Sequence, residues 1–334
     1  MQKYAPLLVF LLLPWGAEAQ TQNPGKGNYS LYIGYSAGGG YDVYARALAN
    51  QMDAHLPGHQ PIVPVNMPGA GSLVLANWLF NVAPKDGSVF GAIGRGIAFD
   101  PLLGSTKAKF KATKFNWIGS MNDEVSVCVA WHTTGVTRLE QVKDRQLVVG
   151  GTGAAADTDQ FPKVLNGTIG TKFKVVTGYP GGNEIDLAME RGEVQGRCGW
   201  SWSSVVATHQ QWITDKKINI LVQLATHKHP DLPDVPLIMD YAKTTEQQQI
   251  FKLIFSRQPM GRPFVAPPQI PNDKIDLLRT AFMDTLKDEK FLSDAKREKL
   301  EINPVSGEAV QKIVKDVYET PPAVAKKVAE MVGQ

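Results

Sequence analysis

The chain has 334 residues, 43% of them hydrophobic and 20% charged, with a formal net charge of +3 at pH 7. That composition excludes a disordered chain, and the length is enough for two domains. The weak positive charge, with no Lys/Arg block interleaved with aromatics, argues against nucleic acid as a partner. The most basic run, KAKFKATK at 107–114, reads as a solvated face.

In chain order, residues 1–19 come first. Lys3 precedes the apolar run PLLVFLLLPW, and Ala17-Glu18-Ala19 follows it. This is the n-region, apolar core and A-x-A cleavage signal of an export leader. The core is too short for a bilayer, which takes about 20 residues. No cysteine follows it, so a lipid anchor is not supported, and no later run is apolar enough to span. A cleaved, exported protein beginning near Gln20 is expected. Removing 1–19 takes away one Lys and one Glu, so the charge stays at +3.

Residues 31–50, LYIGYSAGGGYDVYARALAN, open with a short apolar strand. Three consecutive glycines, Gly38, Gly39 and Gly40, then lead into a helix with Asp42 as N-cap or first-turn acid. Strand, glycine loop and helix start present bare backbone N–H groups and the positive end of a helix dipole to an anion. The pattern recurs three times. NMPGAGS (66–72) follows a strand at 61–65 and precedes a helix at 73–80. GGTGAAA (150–156) follows 146–149 and precedes 161–165. YPGGN (179–183) follows 173–177 and precedes 185–191. Four such units make an α/β chain, in which ligands sit beyond the carboxyl ends of the strands.

Further strands are expected at 89–93, 116–120, 125–131 and 218–224, and a Pro-rich stretch at 229–236 ends the second α/β series. Residues 245–255 are mixed in character, and 262–268 reads as an edge strand and turn. Helices are expected at 271–287, 289–300, 306–318 and 321–332. The first of them carries Ile275, Leu278, Phe282 and Leu286 on one face.

Arg95 follows the strand at 89–93, where its planar fork suits a carboxylate; pairing with a surface acid is the alternative. Trp200 and Trp202, in RCGWSW after another strand position, are flat apolar walls for a ligand ring or else core residues. Tyr41 and Tyr179 are further lining candidates. The only cysteines, Cys128 and Cys198, do not have zinc-site spacing; in an oxidising compartment they pair or stay as separate buried thiols.

Two enzyme readings compete. GTGAAA at 151–156 matches G-x-G-x-x-A, but no Asp or Glu lies between Asp159 and Glu184 to hold a ribose. GWSWS at 199–203 comes within one residue of G-x-S-x-G, which makes a secreted α/β hydrolase using Ser201 the alternative function. Its last glycine is missing, and two tryptophans crowd the serine.

The combination GGG-x-D (38–42), N-x-PGAG (66–71) and P-x-DG (84–87), with LVQLATHKHPDLPDVP and VAPPQIPNDKIDLLRTAF downstream, resembles the Bug-type substrate-binding proteins of tripartite tricarboxylate transporters. The match runs from about Tyr29 to the C-terminus. The resemblance implies a type II periplasmic binding protein, with two α/β lobes joined by two crossing strands and a ligand cleft between them. Lobe one would be 28–124 plus 228–334, and lobe two 125–227. The segments 125–131 and 218–224 would be the crossing strands. It further implies a periplasmic, monomeric, non-enzymatic protein without cofactor or metal, handing a small organic carboxylate to membrane transporter subunits. By the same resemblance, the carboxylate would be held by Ser36, Ala37, Gly38, Gly39 and Gly40 of one lobe. Thr152, Gly153, Ala154, Ala155 and Ala156 of the other would complete the grip. Where many members have a small residue and His-Leu, this chain has Asp157-Thr158-Asp159. Two acids there suit the helix dipole and compete with an anion for it, so an aromatic or heterocyclic carboxylate is expected rather than a tricarboxylate.

Overall fold

The computed structural model describes residues 28–333; the expected leader at 1–19 lies outside them. The strands are β1 (Tyr29–Ile33), β2 (Ile62–Asn66), β3 (Val89–Ala92), β4 (Asn116–Ser120), β5 (Ser126–Trp131), β6 (Leu147–Gly151), β7 (Phe173–Thr177), β8 (Gly196–Ser201), β9 (Ile218–Leu224), β10 (Pro263–Ala266) and β11 (Val305–Ser306). The helices are α1 (Gly40–Met52), α2 (Leu73–Asn81), α3 (Gln141–Asp144), α4 (Asp157–Ile169), α5 (Gly182–Glu190), α6 (Trp202–Thr214), α7 (Thr245–Phe255), α8 (Asn272–Thr285), α9 (Glu289–Arg297), α10 (Gly307–Val317) and α11 (Pro322–Val332).

Two sheets result. One runs β11-β4-β10-β3-β1-β2, with β1 parallel to β2 and β3, and β10 antiparallel to β3 and β4. The other runs β7-β6-β8-β5-β9, with β6 parallel to β7 and β8, and β5 antiparallel to β8 and β9. The chain passes from the first sheet to the second between β4 and β5 and returns after β9. Both β5 and β9 lie wholly in the second sheet, which draws on residues 126–224.

The strands form where apolar runs can be covered on both faces, as parallel strands require. All four residues of β3 are buried, as are the first five of β5. The helices cover them with one face each. Ile275, Leu278 and Phe282 of α8 are buried, together with Leu286 just past its end. Burying a side chain of this size contributes about 1.5–3 kcal/mol. Starts are fixed locally: Thr244 and Gln247 form a reciprocal capping box on α7, and the Asp288 carboxylate accepts from Lys290 and Phe291 N–H at the start of α9.

One apolar cluster runs without a break from α2 through β4, α10, α11 and α7 to α4 and β6. The C-terminal helix therefore joins the two sheets on one side: Lys163 of α4 donates to Val332 O, and Thr168 meets Met331. Cys128 and Cys198 face each other across β5 and β8 and are disulfide-bonded. Among the described residues, no helix is long and apolar enough to cross a membrane.

Candidate functional site

The loops after β1, β3, β6, β7 and β8 meet between the two sheets around a cavity of about 50 Å3. A buried water needs roughly 10–15 Å3 on this measure, so the space holds a few waters. A groove of about 570 Å3 lies elsewhere, beside Leu253, Ile313 and Val324 of α7, α10 and α11. It is larger, but no loops from the two sheets converge on it.

The first wall is the start of α1. Gly38 takes φ +87°, which favours glycine, and its N–H donates to Asp42 Oδ2 at 2.9 Å. Asp42 is thus a first-turn acid. Burial opposes its charge, but hydrogen bonds from Arg46, Gly38 N–H and Asn66 outweigh burial and hold it below the usual carboxylate range. Gly39 is the N-cap, and no side chain caps the helix. The N–H groups of Gly39, Gly40 and Tyr41 meet no acceptor among the described residues.

The opposing wall differs from the expected one. Three N–H groups of the loop at 152–156 are taken from within: Thr152 N–H donates to Thr158 Oγ1 (3.0 Å), Gly153 N–H to Asp159 Oδ2 (2.9 Å) and Ala156 N–H to Gly153 O (2.8 Å), while those of Ala154 and Ala155 meet no acceptor among the described residues. Burial pushes the Asp159 carboxyl up from its ordinary value. With the Thr152 and Gly153 N–H groups engaged and the Asp159 carboxyl turned into the loop, the G-x-G-x-x-A turn is unsuited to a pyrophosphate. Like α1 and α4, α5 starts without a side-chain cap. A Cβ on Gly39 would stand 3.5 Å from Gly182 N, so two helix N-termini from opposite sheets face each other. Ser36 fastens them: its N–H donates to Pro180 O (3.2 Å) and its Oγ to Glu184 Oε2 (2.8 Å).

Arg197 stands beside this meeting point. Its Nη1 donates to Asp186 Oδ1 (3.0 Å) and Gly182 O (3.3 Å), and its guanidinium lies 4.6 Å over the Trp200 ring. Its Nε is buried and meets no hydrogen-bond partner among the described residues. Burial pushes Asp186 up to about 6, against the pull of Arg197. Burial, then the Arg197 charge, pushes His209 down to about 4. His209 Nε2 is 3.5 Å from Asp186.

Arg95 is buried and already partnered. Its Nε donates to Asp157 Oδ2 at 2.6 Å, its Nη1 to Gly261 O, and its Nη2 to Ser126 and Ser201 Oγ. Burial opposes its charge, but Asp157 outweighs burial and holds Arg95 above its ordinary value. Arg257 Nη1 reaches the other oxygen of Asp157 (3.1 Å) and stacks 4.4 Å over Phe99; burial holds it below its ordinary value. Arg262 pairs with Glu124 (3.3 Å) and donates to Ser201, Ser203 and Ser204. Ser201 Oγ thus accepts from two guanidiniums and is held by no histidine, which removes the hydrolase alternative's activated nucleophile.

Of the residues singled out in the sequence, Gly39, Gly40, Tyr41, Arg95, Thr152, Ala156 and Trp200 line the cavity. Ser36, Ala37, Gly38, Gly153, Ala154, Ala155 and Tyr179 do not. Trp202 is buried away from it, with its indole N–H unpartnered. The ring of Tyr41 is stacked on Tyr35 (4.6 Å) and lies 4.8 Å from Arg262, and Trp200 is covered by Arg197. Sequence reasoning missed Tyr35, Gly96, Gly182 and Ser204 as lining residues; Arg197 and Gly199 lie in the RCGWSW stretch it placed at the site, with only the tryptophans named as walls. Gly199 takes φ +84° and bulges β8, so Arg197 and Trp200, paired with Val129 and Val127, share one face of the strand.

No family model and no curated protein matches the chain. Solved structures do match. The periplasmic binding protein BugD is similar over 90% of this chain and 97% of its own, with 21% identity and a TM-score of 0.73. An R. palustris protein solved with adipate is similar over 93% and 99%, with 17% identity and a TM-score of 0.71. MatC from Rhodopseudomonas palustris, with bound malate, is similar over 90% and 98%, with 16% identity and a TM-score of 0.71. These likenesses, over 90–93% of the chain, establish the fold: a two-lobed α/β architecture with a cleft between the lobes.

Proposed function

We propose that the chain is an extracytoplasmic solute-binding protein that captures a small organic carboxylate for a tripartite tricarboxylate-type membrane transporter. One observation carries this reading. Two uncapped helix N-termini, at Gly39–Tyr41 and at Gly182, face each other across an enclosed cleft with the Arg197 guanidinium beside them. Backbone N–H groups, dipole ends and a fork-shaped cation all select an anion, and a planar carboxylate in particular. The similar folds solved with adipate and malate support the ligand class.

In this reading the lobes are 28–124 plus 228–334 and 125–227, and the ligand enters when they part, because the closed cavity holds only a few waters. Its carboxylate lies between α1 and α5 rather than between α1 and α4. A ring on the ligand meets the outer face of Arg197, which already stacks on Trp200. Binding makes and breaks no bond, so the protein acts as a monomeric, periplasmic carrier after removal of residues 1–19. The test is a thermal-shift screen of the mature chain against aliphatic, aromatic and heterocyclic carboxylates, amines and sugars. A carboxylate present at 100 times its Kd raises stability by about 2.7 kcal/mol. A screen in which only uncharged or cationic compounds stabilise the chain overturns the reading.

A further inference from the structure

Asp157 is the first residue of α4 and reaches across the cleft from the second sheet to two arginines on the other side. Arg95 Nε donates to one carboxylate oxygen at 2.6 Å, and Arg257 Nη1 donates to the other at 3.1 Å. Arg95 and Arg257 are 2% and 0% exposed and Asp157 is 8% exposed, and Arg95 and Asp157 both line the cavity. The rest of Arg95 is engaged by Ser126, Ser201 and Gly261, and Arg257 Nη1 also donates to Gln160 Oε1. The chain's own carboxylate therefore occupies the arginine donors at this wall of the cavity.

We propose that Asp157 is the specificity-determining residue of the site. It fills an inner carboxylate subsite formed by Arg95 and Arg257, so that the cleft admits monocarboxylates and rejects dicarboxylates. This rests on the carboxylate-binding reading above and deepens it. The physical reason is a pair of costs. A second ligand carboxylate at the inner end meets the Asp157 charge at close range, and like charges sharing a site disfavour each other. It also finds the Arg95 donors occupied, so it is desolvated without repayment in hydrogen bonds. Specificity arises here from a repulsive group built into the wall.

The test uses the mature chain and its Asp157→Asn and Asp157→Gly variants, with acetate, benzoate, succinate and adipate as probes. Asp157→Asn keeps the shape and removes the charge. Calorimetry is expected to show the ratio of succinate or adipate affinity to benzoate affinity rising about tenfold or more over wild type. Asp157→Gly opens the subsite itself. Acetate is expected to raise its unfolding midpoint while leaving the wild-type midpoint in place. Wild type binding succinate or adipate as tightly as Asp157→Asn overturns the proposal, and so does an equal acetate response in wild type and Asp157→Gly. If Asp157→Gly does not fold without acetate, recovery of fold on adding it supports the proposal, and the Asn variant decides the rest. If no carboxylate binds wild type at all, the carboxylate-carrier reading fails. The acetate arm still decides whether the inner subsite exists.

Discussion

Replacing Gly39 with alanine separates binding from folding. Gly39 has φ −80° and ψ 167°, open to any residue, and an added Cβ would meet Gly182 N at 3.5 Å and Asn183 Oδ1 at 3.6 Å. Neither contact is a clash. Removing a glycine from the unfolded chain stabilises by about 0.4–1 kcal/mol. Alanine is a poorer N-cap than glycine by about the same amount. The two nearly cancel, so stability should stay within about 0.5 kcal/mol of wild type. The methyl group, however, stands in the gap between the two helix N-termini. Losing one hydrogen bond to a charged acceptor costs about 1.5–3 kcal/mol, or roughly 10- to 150-fold in Kd. Urea denaturation measures the first quantity, and calorimetry with the best carboxylate from the screen measures the second. Unchanged affinity in a variant of unchanged stability would show that the ligand does not lie between α1 and α5. Gly40 cannot serve as the probe, because a Cβ there would stand 1.9 Å from Ser204 Oγ and damage the fold.

Arg95→Met leaves Asp157 with one guanidinium partner instead of two, and should destabilise the chain by about 3–5 kcal/mol in chemical denaturation; a loss below about 1 kcal/mol would contradict its structural role. Asp186 and His209 titrate in opposite directions on folding. Asp186 rises from 3.8 to about 6, so its contribution is full below pH 3.8 and lost as pH rises through about 6, up to about 3 kcal/mol. His209 falls from 6.5 to about 4, so its contribution is full above pH 6.5 and lost as pH falls toward about 4. The two contributions should therefore offset each other across this window. Asp186→Asn should lose stability on acidification and His209→Gln on alkalinisation; two variants with the same slope in urea titrations would refute the pairing. Reducing Cys128–Cys198, which are 70 residues apart in sequence, should cost about 4 kcal/mol of stability. Two free thiols in denatured, unreduced protein would exclude the bond.

The fold was legible because its strands are apolar runs bounded by glycine loops, and each run at 31–33, 62–65, 89–93, 116–120, 125–131, 173–177 and 218–224 corresponds to a strand in the structure. Boundaries moved by a residue or two, as at α1, which begins at Gly40 rather than Asp42. The partner of a helix face was not legible. The apolar pattern of α11 shows that one side is buried, not that it is buried against α4. The site was half legible for the same reason. GGTGAAADTD shows a glycine loop with acids after it. Only the folded turn shows that Thr158 and Asp159 turn back to take the Thr152 and Gly153 donors. Arg95 read either as a ligand cation or as the partner of a surface acid; the acid it meets, Asp157, is buried and 62 residues away, a pairing that sequence position does not reveal. Trp200 and Trp202 share a strand face on simple alternation. They part because β8 ends at Ser201, placing Trp202 at the start of α6.

The most direct measurement is an amide NMR titration of the mature chain labelled with 15N-glycine, using the best monocarboxylate from the screen. The account predicts that the Gly39, Gly40 and Gly182 amides shift together with one saturation curve, while Gly153, whose N–H is held by Asp159, moves least. Shifts centred on Gly153, with Gly39 and Gly182 unmoved, would place the anion at α4 and contradict the account.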